Sequence, residues 1–284
     1  MSLRLHQTTR ALRESLSGSR QQGEKIALAP TMGYLHEGHA ALIRRAAMLA
    51  PRVVVSIFVN PLQFGPNDDF ARYPRDLEHD KHIARQSGAA DLYFPSVDEL
   101  TPPNLEITAD PGRMARILCG KSRPGHFRGV LTIVAKLFNI VQPDFAVFGW
   151  KDAQQIILIR KMVEDFNFPL KIEGIETVRE ADGLAISSRN VYLSPAERAQ
   201  APAIQRGLAA ARDAALRGVI TRGRLLEQLA KDLIISGAPL ARIDYIRCVS
   251  ISRIIPLARI EKGNTMLAAA VYFGKARLID NIRF

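Results

Sequence analysis

The sequence predicts an α/β protein: a parallel sheet with helices on both faces, followed by a smaller C-terminal α+β domain. Three observations predict it. Strand-like and helix-like segments alternate through the first two-thirds of the 284 residues, which argues for parallel strands joined by right-handed crossovers. One strand, "RVVVSIFV", is apolar almost throughout, as expected where a sheet is covered on both faces. Beyond about residue 190 the chain turns to helices and then to strands with no long helix between them, which predicts antiparallel pairing. The expected division is 1–182 and 183–284.

Taken in order, "MSLRLHQTTRALRESL" reads as an amphipathic helix using Leu12 and Leu16. "KIALAPT" reads as a buried strand, and a helix runs from about Gly38 to Leu49. After "RVVVSIFV" comes a polar loop, "NPLQFGPNDDFARYP", then a helix near Asp76 to Gln86 and a short strand, "LYFP". "RGVLTIVAKLFNIVQ" has helical spacing, with Val130, Ile133, Val134, Leu137 and Ile140 on one side. The strand "FAVFG", the helix "AQQIILIRKMVEDF" and the strand "KIEGIETV" complete the alternation. "SPAERAQAPAIQRGLAAARDAALRG" predicts one long helix, with Ser194 as N-cap and Pro195 in its first turn. A further helix, "GRLLEQLAKDLIIS", stops at Gly237, and "RIDYIRCVS", "TMLAAAVYF" and "ARLIDNIRF" are the closing strands.

Composition excludes several classes. Hydrophobic residues at 47% and charged residues at 24% are those of a globular protein, and no apolar run reaches the ~18 residues of a membrane span. The Arg-rich N-terminus lacks an apolar core for a secretory signal, so a cytoplasmic location is expected. Cys119 and Cys248 match no metal or redox spacing and are expected as buried, reduced thiols. The net charge of +11 invites a nucleic-acid reading. The basic residues are scattered over helix faces, however, and no basic run is interleaved with aromatics. An anionic small-molecule substrate benefits from the same positive field.

The unusual polar clusters follow strands: "TMGYLHEGH" the first, "NPLQF" the second, "GWKDAQQ" the strand at 145–149 and "ADGLAISSRN" the strand at 171–179. Open parallel sheets bind ligands at that edge. His36 and His39 have spacing for one helix face, yet "HEGH" is one residue short of the H-E-x-x-H zinc motif and no third ligand is evident. A phosphate explains more. Gly33 and Gly38 admit close backbone approach, and the helix that follows aims its N–H groups and positive dipole end at an anion. Lys151 is a compact cation suited to phosphate, and Ser187, Ser188 and Arg189 add donors. The same stretch is also readable as a turn capped by Ser188 and Asn190. Gln63, Gln154 and Gln155 suit a polar organic substrate, with Phe58, Leu62 and Phe64 as its apolar wall. "RPGHFRG", Arg123 to Gly129, is either a second anion loop or a connection. Physics alone reaches a two-domain nucleotide-binding enzyme acting at a phosphate.

The H-x-G-H turn resembles that of the nucleotidyltransferase and class I aminoacyl-tRNA synthetase superfamily, whose fold is a Rossmann-like parallel sheet. The fuller set is more specific: "PTMGYLHEGH", "SIFVNPLQF", "SRPGHFRGV", "KLFNIVQPDFAVFGWKDAQQ", "DGLAISSRN" and "ARLIDN", in this order, resembles the pantoate–β-alanine ligase family over essentially the whole chain. The resemblance implies a reaction of ATP with pantoate to give pantoyl adenylate and pyrophosphate, with Mg²⁺ accompanying the nucleotide and no protein residue directly assigned to the metal. Attack by β-alanine then releases pantothenate and AMP. It also implies a cytoplasmic homodimer with small-molecule partners, no nucleic acid and no membrane.

The family's roles carry over by resemblance. Met32, Gly33, Tyr34, Leu35, His36, Glu37, Gly38 and His39 form the first ATP loop, with His39 in the position of the family's proton donor. Gly149, Trp150, Lys151 and Asp152 form a second ATP segment. Val178 touches the adenine side, and Ile186, Ser187, Ser188 and Arg189 close over the triphosphate. His36, Lys151 and the Ser187–Arg189 run share catalytic duty with His39. Gln63 holds pantoate and borders β-alanine, and Gln155 binds pantoate. Trp150 departs from the acidic residue of many members, and it either packs beside the nucleotide or sits at the surface. With Lys151 and Asp152 retained, no change in activity is expected. The nearest rival reading is a nucleotidylyltransferase acting on a phosphorylated acceptor, which shares the H-x-G-H loop but has no need of the two glutamines. A tRNA-charging enzyme fits less well, because "AISSRN" replaces a lysine-rich loop.

Overall fold

A computed structural model describes residues 3–66 and 70–284; part of the predicted polar loop, residues 67–69, lies outside the described residues. Chain contacts define two compact units. The first comprises Met1–Gly112, Arg123–Gly149 and Leu158–Glu176, and the second comprises Arg113–Ser122, Trp150–Ile157 and Thr177–Phe284.

The elements run β1 (Arg4–His6), α1 (Thr9–Gln21), β2 (Ile26–Thr31), α2 (Glu37–Leu49), β3 (Arg52–Ile57), α3 (Leu77–Gln86), β4 (Asp91–Tyr93) and α4 (Val97–Leu100). After these come α5 (Cys119–Ser122), α6 (His126–Val141), β5 (Phe145–Gly149), α7 (Ala153–Asp165) and β6 (Lys171–Ile175). The remainder is α8 (Pro195–Gln200), α9 (Ala203–Leu216), α10 (Gly223–Gly237), β7 (Arg242–Ser250), β8 (Thr265–Phe273) and β9 (Ala276–Arg283).

In the first unit the strands form one parallel sheet in the order β1-β4-β3-β2-β5-β6. The chain steps outward from β2 to β3 and β4, then returns to the other side of β2 for β5 and β6. The order therefore reverses between β2 and β5, and ligands of open α/β sheets bind beyond the C-terminal ends of strands at such a reversal. The chain leaves those two strands at Met32 and Trp150. Continuous apolar runs explain why the central strands are buried: Ala27, Leu28 and Ala29 of β2 and Val54 and Val55 of β3 are inaccessible to solvent.

The opening helix forms as expected, with Leu12 and Leu16 fully buried and Thr8 accepting the Ala11 N–H as N-cap. Each such leucine contributes ~1.5–3 kcal/mol by leaving water. The short strand ahead of it, β1, was not expected. It pairs with β4, and His6 donates from Nε2 to the buried carboxylate of Asp91 at 2.8 Å. Three residues are too few to show a period in sequence.

The second unit holds the antiparallel sheet β7-β8-β9, as the change of pattern predicted. Its core joins Ile204, Leu208 and Ala211 of α9 with Leu226, Ala230 and Ile234 of α10 and Leu267, Val271 and Phe273 of β8. One expectation is corrected: the long Ala-rich helix is two, α8 and α9, parted at Ala201–Pro202. Proline has no N–H to donate, so the helical hydrogen-bond ladder is interrupted at Pro202. Ser194 does cap α8, in a reciprocal box with Glu197. Both cysteines are free and buried.

Candidate active site

In the first unit the turn after β2 is held in an unusual shape. Gly33 has φ +87°, and a Cβ there would lie 2.9 Å from Ile57 Cγ2 and 3.0 Å from Asp80 Oδ2, so only glycine fits. Tyr34 is also left-handed, at φ 51°. The carboxylate of Asp80, from α3, accepts the backbone N–H of Tyr34 at 2.9 Å and of Leu35 at 2.6 Å. Asp80 is buried, and burial raises its carboxyl above the ordinary value while the two N–H groups pull it back. Neighbouring His79 donates from Nε2 to the Leu35 carbonyl at 2.9 Å.

His36 and His39 then start α2 together. His36 is the N-cap, its Nδ1 accepting the Gly38 N–H at 3.2 Å, while His39 Nδ1 accepts the His36 N–H at 3.3 Å. The rings stack with centroids 4.0 Å apart. Because each Nδ1 is an acceptor, the proton of each neutral ring sits on Nε2. Gly38 makes room for this, since a Cβ would meet His36 Cε1 at 3.0 Å. Glu37, in the same first turn, is exposed and ion-paired to Arg44.

Gln63 belongs to the same unit. Its amide donates to Met32 Sδ at 3.1 Å and accepts from Asn60 Nδ2 at 3.0 Å. Its backbone carbonyl accepts from His126 Nδ1 at 2.8 Å and from Arg123 Nη2 at 3.3 Å. The "RPGHFRG" loop therefore closes over the Gln63 backbone. Gly129 permits this approach, because a Cβ there would fall 2.3 Å from the Leu62 carbonyl oxygen. Of the expected apolar wall, Phe58 is instead core, Leu62 is exposed, and Phe64 packs edge-on against Phe70 and Tyr73.

Gly149 ends β5, and the remaining expected residues lie in the second unit. Lys151 is largely covered and stands 3.8 Å from half-exposed Asp152. Trp150 is only 5% exposed, which removes the surface alternative, and the guanidinium of Arg283 lies 3.8 Å above its ring. Gln155 is half-buried. Gln154 is committed within the protein: its Nε2 donates to the carbonyls of Met114 and Ile117 at 3.0 and 2.9 Å. Val178 and Ile186 are brought together, the Ile186 N–H donating to the Val178 carbonyl across a hairpin that turns at Gly183 (φ +93°). Ser187 rather than Ser188 caps the short helical turn Ser188–Tyr192, its Oγ accepting the Arg189 N–H at 3.3 Å. Asn190 braces the turn from within, donating to Glu180 and to the Ala185 carbonyl.

Asp80, His79 and Asn60 were not anticipated, nor was the grip of Arg123 and His126 on the Gln63 carbonyl, although their loop had been singled out. A signal for Asp80 was present: Leu77, Asp80 and Ala84 share the core-facing stripe of α3, where a carboxylate is out of place without partners. Asn60 gave none, since its burial depends on Gly129, distant in sequence.

Comparison with known proteins identifies the family. Residues 4–283 match the family model described as pantoate-beta-alanine ligase. The chain is 51% identical over 275 residues to the pantothenate synthetase of Heliobacterium modesticaldum, covering 96% of this chain and 97% of the relative. The crystal structure of pantothenate synthetase from Thermus thermophilus superposes with a TM-score of 0.91 at 42% identity, over 99% of each chain. That of pantoate-beta-alanine ligase from Francisella tularensis, complexed with beta-gamma ATP and beta-alanine, gives 0.80 at 34% identity, over 99% of this chain and 98% of that one.

Proposed function

This chain belongs to the pantoate–β-alanine ligase family and is a ligase that condenses pantoate with β-alanine; we propose that it does so with ATP through an enzyme-bound pantoyl adenylate. The pantoate carboxylate attacks the α-phosphorus and pyrophosphate leaves. The β-alanine amine then attacks the acyl carbon, and AMP leaves with the bonding pair. In the first step two anions meet and charge shifts to the leaving group, so fixed donors that strengthen with that shift are the effective catalysts.

The reciprocal cap of His36 and His39 carries this reading. It holds two Nε2–H donors at the positive end of the α2 dipole. His39 stands in the position of the family's proton donor. The turn Met32–His39 takes the phosphates together with Gly149–Asp152, where Lys151 supplies the cation. Val178 meets the adenine side, and Ile186, Ser187, Ser188 and Arg189 cover the triphosphate. Gln63 holds pantoate beside β-alanine, and Gln155 holds pantoate. Magnesium accompanies the nucleotide. Asp152 is the single carboxylate in the Gly149–Asp152 segment, which suits an ion ligated mainly by phosphate oxygens and water.

The same proposal includes a cytoplasmic homodimer and a division at 182/183, with residues 183–284 closing as a lid over the adenylate. No described helix is long and apolar enough to cross a membrane. Identical solution scattering with and without an ATP analogue would remove the lid. The chemical reading is tested by ATP–pyrophosphate exchange with pantoate present and β-alanine left out. Exchange that requires pantoate supports the adenylate. No exchange from folded, ATP-binding protein removes it.

A further inference from the structure

The motif "ARLIDN" has no role in the reaction as described so far, yet the structure puts its last two residues to use. Asp280 and Asn281 are adjacent in β9 and only 4% and 8% exposed. Adjacent side chains of a strand point to opposite faces, so one dyad reaches two separate segments. Asn281 donates from Nδ2 to the backbone carbonyls of Trp150 at 2.7 Å and Lys151 at 3.2 Å. Two residues on, Arg283 covers the Trp150 ring.

Asp280 reaches the other segment. Its carboxylate takes a two-point pair from Arg179, Nη1 to Oδ2 at 2.6 Å and Nη2 to Oδ1 at 2.9 Å. The same Nη1 donates to the Gly183 carbonyl at 3.0 Å, so Arg179 ties both sides of the hairpin that leads into Ile186–Arg189. Asp280 Oδ1 also accepts the Asn281 backbone N–H at 2.8 Å, which fixes the dyad itself.

We propose that Asp280 and Asn281 are positioning residues for adenylate formation: Asn281 sets the Trp150–Lys151 turn and Asp280 sets the hairpin that carries Ser187, Ser188 and Arg189. The proposal rests on the reading that those segments hold the phosphates of ATP. Neither residue touches substrate. Both act by fixing backbone whose side chains do, and buried two-point and two-acceptor contacts suit that task better than single exposed ones. In Trp150 and Arg283 this chain has a stacked pair that presses the same turn onto β9.

The test separates the two halves of the reaction. Asn281→Asp keeps the side chain's size but turns a carboxylate toward two carbonyls. Pantoate-dependent ATP–pyrophosphate exchange is expected to fall about ten- to a hundredfold, the scale of a small misplacement of reacting groups. Aminolysis of preformed pantoyl adenylate by β-alanine is expected to stay near parental, although a buried carboxylate facing two carbonyls lowers the urea midpoint. Added to Lys151→Ala, Asn281→Asp is expected to cost nothing further, because it acts through Lys151. Asp280→Asn, acting on the other segment, is expected to lower exchange further in that background. Equal losses in both half-reactions, tracking a fall in the urea midpoint, would make the dyad merely structural and overturn the proposal. Parental exchange in Asn281→Asp while Lys151→Ala loses it overturns this proposal alone. Parental exchange in Lys151→Ala overturns the phosphate reading beneath it.

Discussion

The turn at Thr31–His39 and the turn at Trp150–Lys151 both follow strands of the same parallel sheet, but they are held in opposite ways. The first is shaped chiefly by its own residues, with a left-handed glycine, a reciprocal histidine cap and a helix start, and Asp80 and His79 secure its backbone. The second carries little shape of its own. Its carbonyls are held by Asn281 and its indole lies beneath Arg283, both in a different sheet. Self-shaped turns leave motifs in sequence. Turns shaped by distant residues leave only the side chain proposed to act, here Lys151.

The sharpest way to examine that contrast is to remove the donors themselves. His39→Ala and Lys151→Ala are each expected to slow pantoate-dependent exchange ~10²–10³-fold, the usual cost of losing one transition-state donor. They should differ in one respect. His39→Ala also removes the acceptor for the His36 N–H, so it should lower the urea midpoint, whereas Lys151→Ala should not. Equal midpoints would erase the distinction between the turns.

Next in size is the glycine. Gly33→Ala forces a left-handed φ and a contact at 2.9 Å with Ile57, and unfolding in urea should show a loss of the order of 1–3 kcal/mol. An unchanged midpoint would mean that the turn relaxes without cost. Asp80→Ala leaves the Tyr34 and Leu35 N–H groups without their acceptor. The expected cost is ~1–3 kcal/mol, offset in part by removing a buried carboxyl that burial already disfavours in its charged form. Its exchange activity should fall more than the activity of an equally destabilised variant made elsewhere in the core.

The smallest effect belongs to the second unit's hairpin. Hydrogen bonding from Arg198 holds the Asp182 carboxyl below its ordinary value. A group depressed in the folded state contributes stability above its unfolded pKa and loses it as pH falls through the folded value. Between about pH 5 and pH 3 the parent should therefore lose slightly more stability than Asp182→Asn. Parallel urea midpoints across that range would show that the pair adds nothing.

Much of the fold was legible because it follows from period and punctuation. Alternating apolar runs gave the parallel sheet, Ser194 and Pro195 gave the start of α8, and Gly237 marked the end of α10. Pro202 was in plain view, and the alanine-rich pattern around it concealed the break. In the candidate site, the helix start at the histidines was readable because its geometry is local. Asp80, Asn60, Asp280 and Asn281 were not, since nothing at those positions announces which backbone each will meet. Gln154 and Gln155 show the same limit from the other side. They are identical neighbours, and one of them is committed to the carbonyls of Met114 and Ile117.

The two turns also differ in when they become possible. Tyr34 meets Asp80 across 46 positions, whereas Trp150 meets Asn281 across 131. A growing chain emerging from the ribosome can close the first contact long before the residue needed for the second has been made. In refolding of the whole chain, the shorter loop is also the less costly one to close. Labelling amides with deuterium during refolding should therefore protect the Leu35 N–H ahead of the Asn281 side-chain amide that meets Trp150. The histidine turn is then in place early, while the Trp150–Lys151 turn is fixed only once Asn281 of β9 has reached its carbonyls, and that late contact completes the turn on which the proposed function depends.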